Sequence, residues 1–294
     1  MNKLSSHLPR LSAGLLAAFL LVLAARGYGE TTMLFVLGSL FMFGLCWTSA
    51  AHLLGGRAAA RFVLAALGIG WLAEQLGATR GWFFGSYDYT EVLGPRVGAV
   101  PAIIPLMWFA LSYAGYVIAN LIVWQAPRDV RAGAARDGLM ALVGATVVTC
   151  YDLGADPYMV YKAKAWIMRD KDGWWFGETV QGFAGWMLVA FAILFVFRLA
   201  TRAPAHAPAA DALPFMPRHV ATPLAMYAGL MLFQVFLGYP VETRSIALFA
   251  MGFPLLTALC GLLRWRQAHR AGADEAGSAA AAYAGAAPTL QEAA

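Results

Sequence analysis

Apolar runs long enough to cross a lipid bilayer divide almost the whole chain. Hydrophobic residues make up 61% of the 294 residues and charged residues only 13%, about half the share typical of soluble domains. A spanning helix needs roughly 20 apolar residues. Eight runs approach or meet this length between charged or turn residues: 11–25, 32–54, 61–77, 100–125, 138–153, 183–199, 222–239 and 245–263. The sequence therefore predicts an all-α protein, a polytopic integral membrane helical bundle of about eight (seven to eight) transmembrane helices.

Two segments depart from this pattern. Residues 201–217, between the sixth and seventh runs, are rich in Ala and Pro and predict a flexible linker. After residue 270 the chain has few large apolar residues and cannot bury enough surface to fold. We therefore predict one transmembrane domain over residues 1–270 and a disordered C-terminal tail over 271–294. The first run is short enough to resemble a signal peptide, but further runs follow at once, so we expect an uncleaved first helix.

Basic residues are unevenly shared between the two ends of the predicted spans. With eight spans, thirteen Lys and Arg residues lie on the side of the two termini and eight on the opposite side. Cytoplasmic loops of membrane proteins are enriched in these residues, which predicts a multi-pass protein of the cell (inner) membrane with both termini in the cytoplasm. No basic cluster is interleaved with aromatic residues, so we expect membrane lipids and no nucleic acid as partners.

Two stretches place acidic residues at the end of an apolar run and follow them with aromatic residues. The first holds Glu74 inside the third run and Asp88 in the loop beyond it. The second holds Asp152 and Asp156 at the end of the fifth run. An acid within a membrane span is costly and indicates a functional site. The two loops are separated by two spans and must emerge on the same membrane face, so these carboxyl groups can converge.

Each acid has a structural and a chemical interpretation. Structurally, Glu74 could bond a neighbouring helix, and the two aspartates could pair with basic residues of the loops. Chemically, apolar surroundings favour the neutral form of a carboxyl group, which makes Glu74 a candidate general acid. A second carboxylate among Asp152 and Asp156 would position or activate water. Because Pro157 follows directly and disfavours helical geometry before it, we expect the fifth helix to end here.

Aromatic residues crowd both loops. The simplest interpretation is an aromatic belt at the membrane interface. The alternative is a slot for a long, flat hydrophobic molecule, since aromatic faces also stabilise a carbocation. The residues predicted to line such a slot are Trp82, Phe84, Tyr87, Tyr89, Trp108, Tyr151, Trp166 and Trp186.

The cysteine and histidine patterns argue against metal-dependent and disulfide-bonded classes of protein. The three cysteines lie in different apolar runs and form no CxxC pair, and the five histidines are scattered outside the acidic stretches. Membrane di-iron oxygenases need clustered histidines, so this pattern disfavours them. No disulfide scaffold or zinc site is indicated.

The two acidic stretches together resemble a known family. Residues 74–90 read Glu-x-x-Gly-x-x-x-Gly-x-x-Phe-Gly-x-Tyr-x-Tyr-Thr, and residues 100–108 read Val-Pro-x-x-x-Pro-x-x-Trp. Residues 152–157 read Asp-x-x-x-Asp-Pro, followed by Phe-x-Gly-Trp at 183–186. These blocks are similar to those of the membrane carotenoid-biosynthesis proteins typified by the CruF-type carotenoid 1,2-hydratases. That family commonly has an Asn where this chain has Gly182.

The resemblance implies a carotenoid hydratase, a hydro-lyase that adds water across the terminal 1,2 double bond of an acyclic carotene end. The substrate would be a hydrophobic polyene of the lycopene or γ-carotene type, drawn from the bilayer, and the product a tertiary 1-hydroxy group. No redox cofactor, metal or nucleotide is implied, and association with other carotenoid-pathway enzymes is compatible with it. In this hypothesis Glu74 or Asp152 donates the proton, and Asp156 or Asp88 handles the water.

Two alternatives remain open at this point. A membrane carotenoid or isoprenoid cyclase or isomerase would use the same acid and the same cation but finish by losing a proton. A non-enzymatic transporter or lipid-binding membrane protein would account for broken helices around intramembrane acids. Hydration adds one water to the mass of the carotene, whereas cyclisation adds nothing, so product mass separates the two enzymes.

Overall fold

The computed structural model of the protein describes residues 3–129, 133–169, 173–201 and 217–285. Helices account for most of these residues. The α-helices are α1 (Lys3–Arg26), α2 (Thr32–Leu54), α3 (Gly56–Arg80), α4 (Ile103–Trp124), α5 (Ala134–Tyr158), α6 (Val180–Thr201), α7 (Pro217–Leu237) and α8 (Thr243–Gly285). The seven helices α2 to α8 are each long and apolar enough to cross a membrane. The predicted all-α membrane bundle is therefore confirmed, and a crossing by α1 stays a prediction.

Helix α4 lies at the centre of the bundle. It packs against α2, α3, α5, α7 and α8, and most of its residues are buried. Its sequence is apolar on every side, which is the pattern of a helix surrounded by others. Helices α4 and α5 approach closely at two glycines, because a Cβ on Gly115 would lie 2.7 Å from the carbonyl oxygen of Gly144. Small residues allow such close packing of membrane helices.

Helix α5 does not end where the sequence predicts. It passes through Pro157 to Tyr158 and continues as one π-helical turn, Met159–Ala163. Pro157 lacks the N–H that would bond the carbonyl of Leu153. In its place, the indole Nε1–H of Trp175 donates to that carbonyl oxygen at 3.0 Å. The predicted end near residue 153 was wrong because a side chain from the following loop satisfies the carbonyl that the proline leaves free.

The loops after α3 and α5 are joined by backbone pairing. Strand β1 (Tyr87–Tyr89) belongs to the first loop, followed by the short strands β2 (Arg96–Val97) and β3 (Val100–Pro101), and β4 (Trp166–Met168) belongs to the second. Strand β1 pairs antiparallel with β4, and β2 pairs with β3. The prediction that the two loops emerge on one face is confirmed.

The remaining predictions concern the linker and the tail. Residues 202–216, predicted as a flexible linker, lie outside the described residues. The backbone of α8 is helical to Gly285, and residues 286–294 lie outside the described part. A disordered tail after residue 270 therefore stays a prediction.

Candidate functional site

A cavity lies beneath the paired loops, between α3, α4, α5 and α6. Strands β1 and β4 form its wall on the loop side, and Ile104, Met107 and Leu111 of α4 form an apolar wall that runs into the bundle. A mostly apolar and aromatic lining with a few convergent polar groups is typical of small-molecule sites. The cavity is therefore the first candidate for a functional site.

Four carboxyl groups line this cavity, and no basic side chain balances them. Glu74, Asp152, Asp156 and Glu178 all border it, and each is at most 5% exposed. No Lys, Arg or His is among the residues that line the cavity in the described part of the chain. An anionic ligand such as a prenyl diphosphate would meet only like charges here. A neutral or transiently cationic ligand suits the cavity better.

Glu74 is held in place by three donors. The hydroxyls of Tyr87 and Tyr89 each donate to Oε2 at 2.6 Å, and the indole Nε1–H of Trp108 donates to Oε1 at 2.9 Å. Alternate residues of a strand point to the same side, so β1 aims both tyrosines inward. Burial, reinforced by the Glu74 carboxyl, raises the pKa of Tyr87 and of Tyr89 well above the ordinary tyrosine value. Both hydroxyls therefore remain donors, and Glu74 is a fixed acceptor.

Asp152 and Asp156 are held quite differently. They lie four residues apart on the continuous helix α5, so they share one face. Among the described residues, both carboxyl oxygens of Asp152 lack a hydrogen-bond partner, and so does Oδ2 of Asp156. The Trp166 side chain of β4 forms a hydrogen bond with the Asp156 carboxyl. Buried polar atoms normally find a partner, so the unpaired oxygens of this pair are candidate contacts for a bound molecule.

The structure does not bring Asp88 or Trp82 into the cavity. Asp88 is the outward residue of β1, and its carboxylate accepts two hydrogen bonds from the Arg169 guanidinium, at 2.7 and 2.6 Å. That guanidinium lowers the pKa of Asp88, so the group is a solvent-facing carboxylate. Trp82 is 54% exposed. The roles that the sequence assigns to Asp88 and Trp82 stay predictions without support from the cavity.

The other predicted aromatic residues do line the cavity. The ring centroids of Trp108 and Trp186 lie 4.5 Å apart, and the Phe84 ring is stacked with Trp108 at a centroid distance of 6.3 Å. Aromatic faces of this kind pack well against a flat conjugated molecule and attract positive charge. The predicted residues that border the cavity are Phe84, Tyr87, Tyr89, Trp108, Tyr151, Trp166 and Trp186.

A comparison with known families decides what kind of protein this is. The family model described as "Carotenoid biosynthesis protein" matches residues 30–253, which is well over half of the chain. The chain belongs to the carotenoid biosynthesis protein family. No curated protein and no solved structure gives a significant match. The matched range includes every residue that lines the cavity, so the cavity lies within the part of the chain that the family model covers.

One carboxyl group that lines the cavity, that of Glu178, is not among the site residues predicted from the sequence. Glu178 closes a tight hairpin in which Gly173 and Gly177 pair. The hairpin has no space for a side chain at Gly173, because a Cβ there would lie 1.8 Å from the carbonyl oxygen of Glu178. On the cavity side, Gly182 leaves room beside the Glu178 carboxyl, with Oε2 3.8 Å from where its Cβ would be. The available signal was an acid directly after a glycine-flanked aromatic run.

Proposed function

We propose that this protein is a carotenoid hydratase that adds water to the terminal 1,2 double bond of an acyclic carotene end. The product is a tertiary 1-hydroxy group. The observation that carries the proposal is the Asp152–Asp156 pair. Most oxygens of these two buried carboxyl groups have no hydrogen-bond partner within the described part of the chain, and no basic residue of that part lines the aromatic cavity around them. Such a site offers a proton, a shielded place for a cation and a base for water.

The proton comes from the aspartate pair. Two carboxylates one helical turn apart in a buried site repel each other, which favours keeping a proton on the pair. Asp152, with no partner for either oxygen among the described residues, delivers that proton to C2 of the isopropylidene end. The π electrons form the new C–H bond, and the positive charge is left on tertiary C1.

Water then completes the addition. Its oxygen bonds to C1, and its released proton passes to Asp156. The proton moves from Asp156 to Asp152 within the pair and restores the starting state, so one water is consumed in each turnover. Glu74, fixed by Tyr87, Tyr89 and Trp108, supplies negative charge near the cation, a form of preorganised electrostatic stabilisation.

The dimensions of the cavity suit one end of a polyene. The α4 residues along its apolar wall run from Ile104 to Leu111, a distance of about 10 Å at the rise of an α-helix. A carotene is much longer than this. We therefore expect one end group to enter while the remaining polyene lies among bilayer lipids.

The same proposal places the protein in the cell (inner) membrane with both termini in the cytoplasm. This takes α1 as an eighth span, and it rests on the excess of basic residues on the side of the termini and on the enrichment of such residues in cytoplasmic loops. The cavity then faces the extracytoplasmic half of the membrane. Association with other enzymes of the pathway would bring the polyene to it.

Co-expression in a host that accumulates lycopene tests this proposal. We expect a new carotenoid whose mass exceeds that of lycopene by one or two waters and whose added oxygen behaves as a tertiary alcohol. A host carrying the empty vector is the control. A product of unchanged mass would indicate a cyclase or isomerase instead, and unaltered lycopene with normal protein levels would favour a transporter or lipid-binding protein.

A further inference from the structure

A second, smaller pocket borders α5, and neither Asp152 nor Asp156 is among the residues that line it. It has a cavity volume of about 20 Å³ and is lined by residues of α1, α5, the π-helical turn and α7. Three residues, Tyr151, Ala155 and Met159, border both this pocket and the main cavity. These three side chains are the partition between the two spaces.

The second pocket differs from the main cavity in its polar groups. Arg26 borders it, held by Glu30 through bonds of 2.8 to 3.1 Å and packed over the Phe233 ring with 4.7 Å to its centroid. Gln234 also borders it and is 3% exposed. Its Nε2 donates to the Tyr151 carbonyl at 3.0 Å, whereas its Oε1 has no partner among the described residues.

These groups fit water better than hydrocarbon. A buried water makes two to four hydrogen bonds and needs a cavity of roughly 10–15 Å³, and this pocket is bordered by the Gln234 amide, the Arg26 guanidinium and the Tyr158 side chain. An apolar chain placed here would leave Gln234 and Arg26 against hydrocarbon, which is unfavourable. Across the partition, Tyr151 interacts electrostatically with Arg26 and with both Asp152 and Asp156.

We infer that this pocket holds the water consumed in the reaction and supplies it past Ala155 to the aspartate pair. The carotene end and the water then reach the cation from different sides of the site. The inference rests on the proposed hydration. It assigns to Leu230 and Gln234 of α7 a role in supplying water that is separate from the protonation step.

Deuterium labelling distinguishes protonation of C2 from the later capture of water by the cation. In D₂O the acid delivers D⁺ to C2, and the cation either captures water or loses H⁺ from C2 to give back the alkene with deuterium at C2. A protein with a poor water supply should protonate normally but return the alkene more often. The measurement is the ratio of C2-deuterated, unhydrated carotene to hydrated product, made by mass spectrometry on purified protein in lipid vesicles containing lycopene.

Two variants change the pocket without touching the cavity. Leu230→Phe fills it, and Gln234→Leu removes its amide. For both we expect hydration per folded protein to fall at least about five-fold while the deuteration ratio rises by a similar factor. Leu232→Phe adds the same volume on the exposed side of α7, where Leu232 is 47% exposed. It should leave hydration and the deuteration ratio within about two-fold of wild type.

The outcomes are distinct. Unchanged hydration in both variants, or equal falls in hydration and deuteration at normal protein levels, would overturn the water pocket while leaving the hydratase proposal intact. If either variant fails to accumulate, the other gives the result, and failure of both to fold would show that the pocket serves packing. A wild-type protein that forms no hydrated product would overturn the proposed function, and the inference with it.

Discussion

At the scale of single residues, the three donors around Glu74 make the most specific claim. Tyr87→Phe or Tyr89→Phe keeps the ring and removes one hydrogen bond of 2.6 Å. Because a hydrogen bond to a charged group contributes about 1.5–3 kcal/mol, we expect hydrated carotene per protein to fall at least about ten-fold in each variant. Tyr28→Phe is the control, since Tyr28 is 97% exposed. Wild-type rates in both variants would remove Glu74 from the mechanism.

Asp88 and Asp156 provide a matched pair of substitutions. Asp156→Asn removes a carboxyl from the cavity, and we expect product to fall at least about 100-fold, the usual range for general acid–base groups. Asp88→Asn changes only the exposed pair with Arg169 and should stay within about two-fold of wild type. Product per protein in lycopene-forming cells measures both. A loss in Asp88→Asn as large as that in Asp156→Asn would return Asp88 to the site.

At the scale of elements, helix α5 depends on a side chain from outside it. Trp175→Phe keeps an aromatic ring but leaves the Leu153 carbonyl, now bonded at 3.0 Å, without its donor. An unsatisfied buried group is unfavourable by about 1–3 kcal/mol, so we expect a lower thermal midpoint in detergent. Trp174→Phe, at a neighbouring residue that is 74% exposed, should not shift it. Equal midpoints for the two variants would contradict this account of the helix.

The crossing of α4 and α5 is a second property of elements. A Cβ at Gly115 would lie 2.7 Å from the Gly144 carbonyl oxygen, a backbone atom that cannot rotate away. We expect Gly115→Ala to destabilise the protein by about 1–3 kcal/mol through overpacking. Gly68→Ala is the control, because nothing lies within 4 Å of a Cβ there. Thermal midpoints in detergent compare them, and an unshifted Gly115→Ala would mean that the helices are less tightly packed.

The arrangement of the elements around the site could be predicted from the sequence only in part. Counting spans was enough to predict that Glu74, Asp152 and Asp156 could converge, because two spans return a chain to the same membrane face. It could not show that Asp88 faces outward, since that depends on the register of a three-residue strand against a distant one. Nor could it show that α5 continues through Pro157, because the supporting donor lies in another segment.

At the scale of the whole molecule, the family and the helical bundle could be predicted from the sequence, whereas the separate roles that we propose for the acidic residues could not. The apolar runs determine a membrane bundle by composition alone. The roles of Glu74 and Asp152 depend on which carboxyl receives donors, and those donors come from β1 and α4. Such contacts depend on side-chain positions from several elements. The structure therefore changes Glu74 from the leading proton donor into a fixed charge in our proposal, with Asp152 as donor.

The most direct measurement of the central claim follows the origin of the added oxygen. Purified protein in lipid vesicles with lycopene, in H₂¹⁸O and without added cofactor, should form a 1-hydroxy product that carries ¹⁸O. The Asp156→Asn variant at the same protein amount should form almost none. A product whose oxygen comes from air, a requirement for an added reductant, or equal product from the Asp156→Asn variant would contradict water addition by this carboxyl pair.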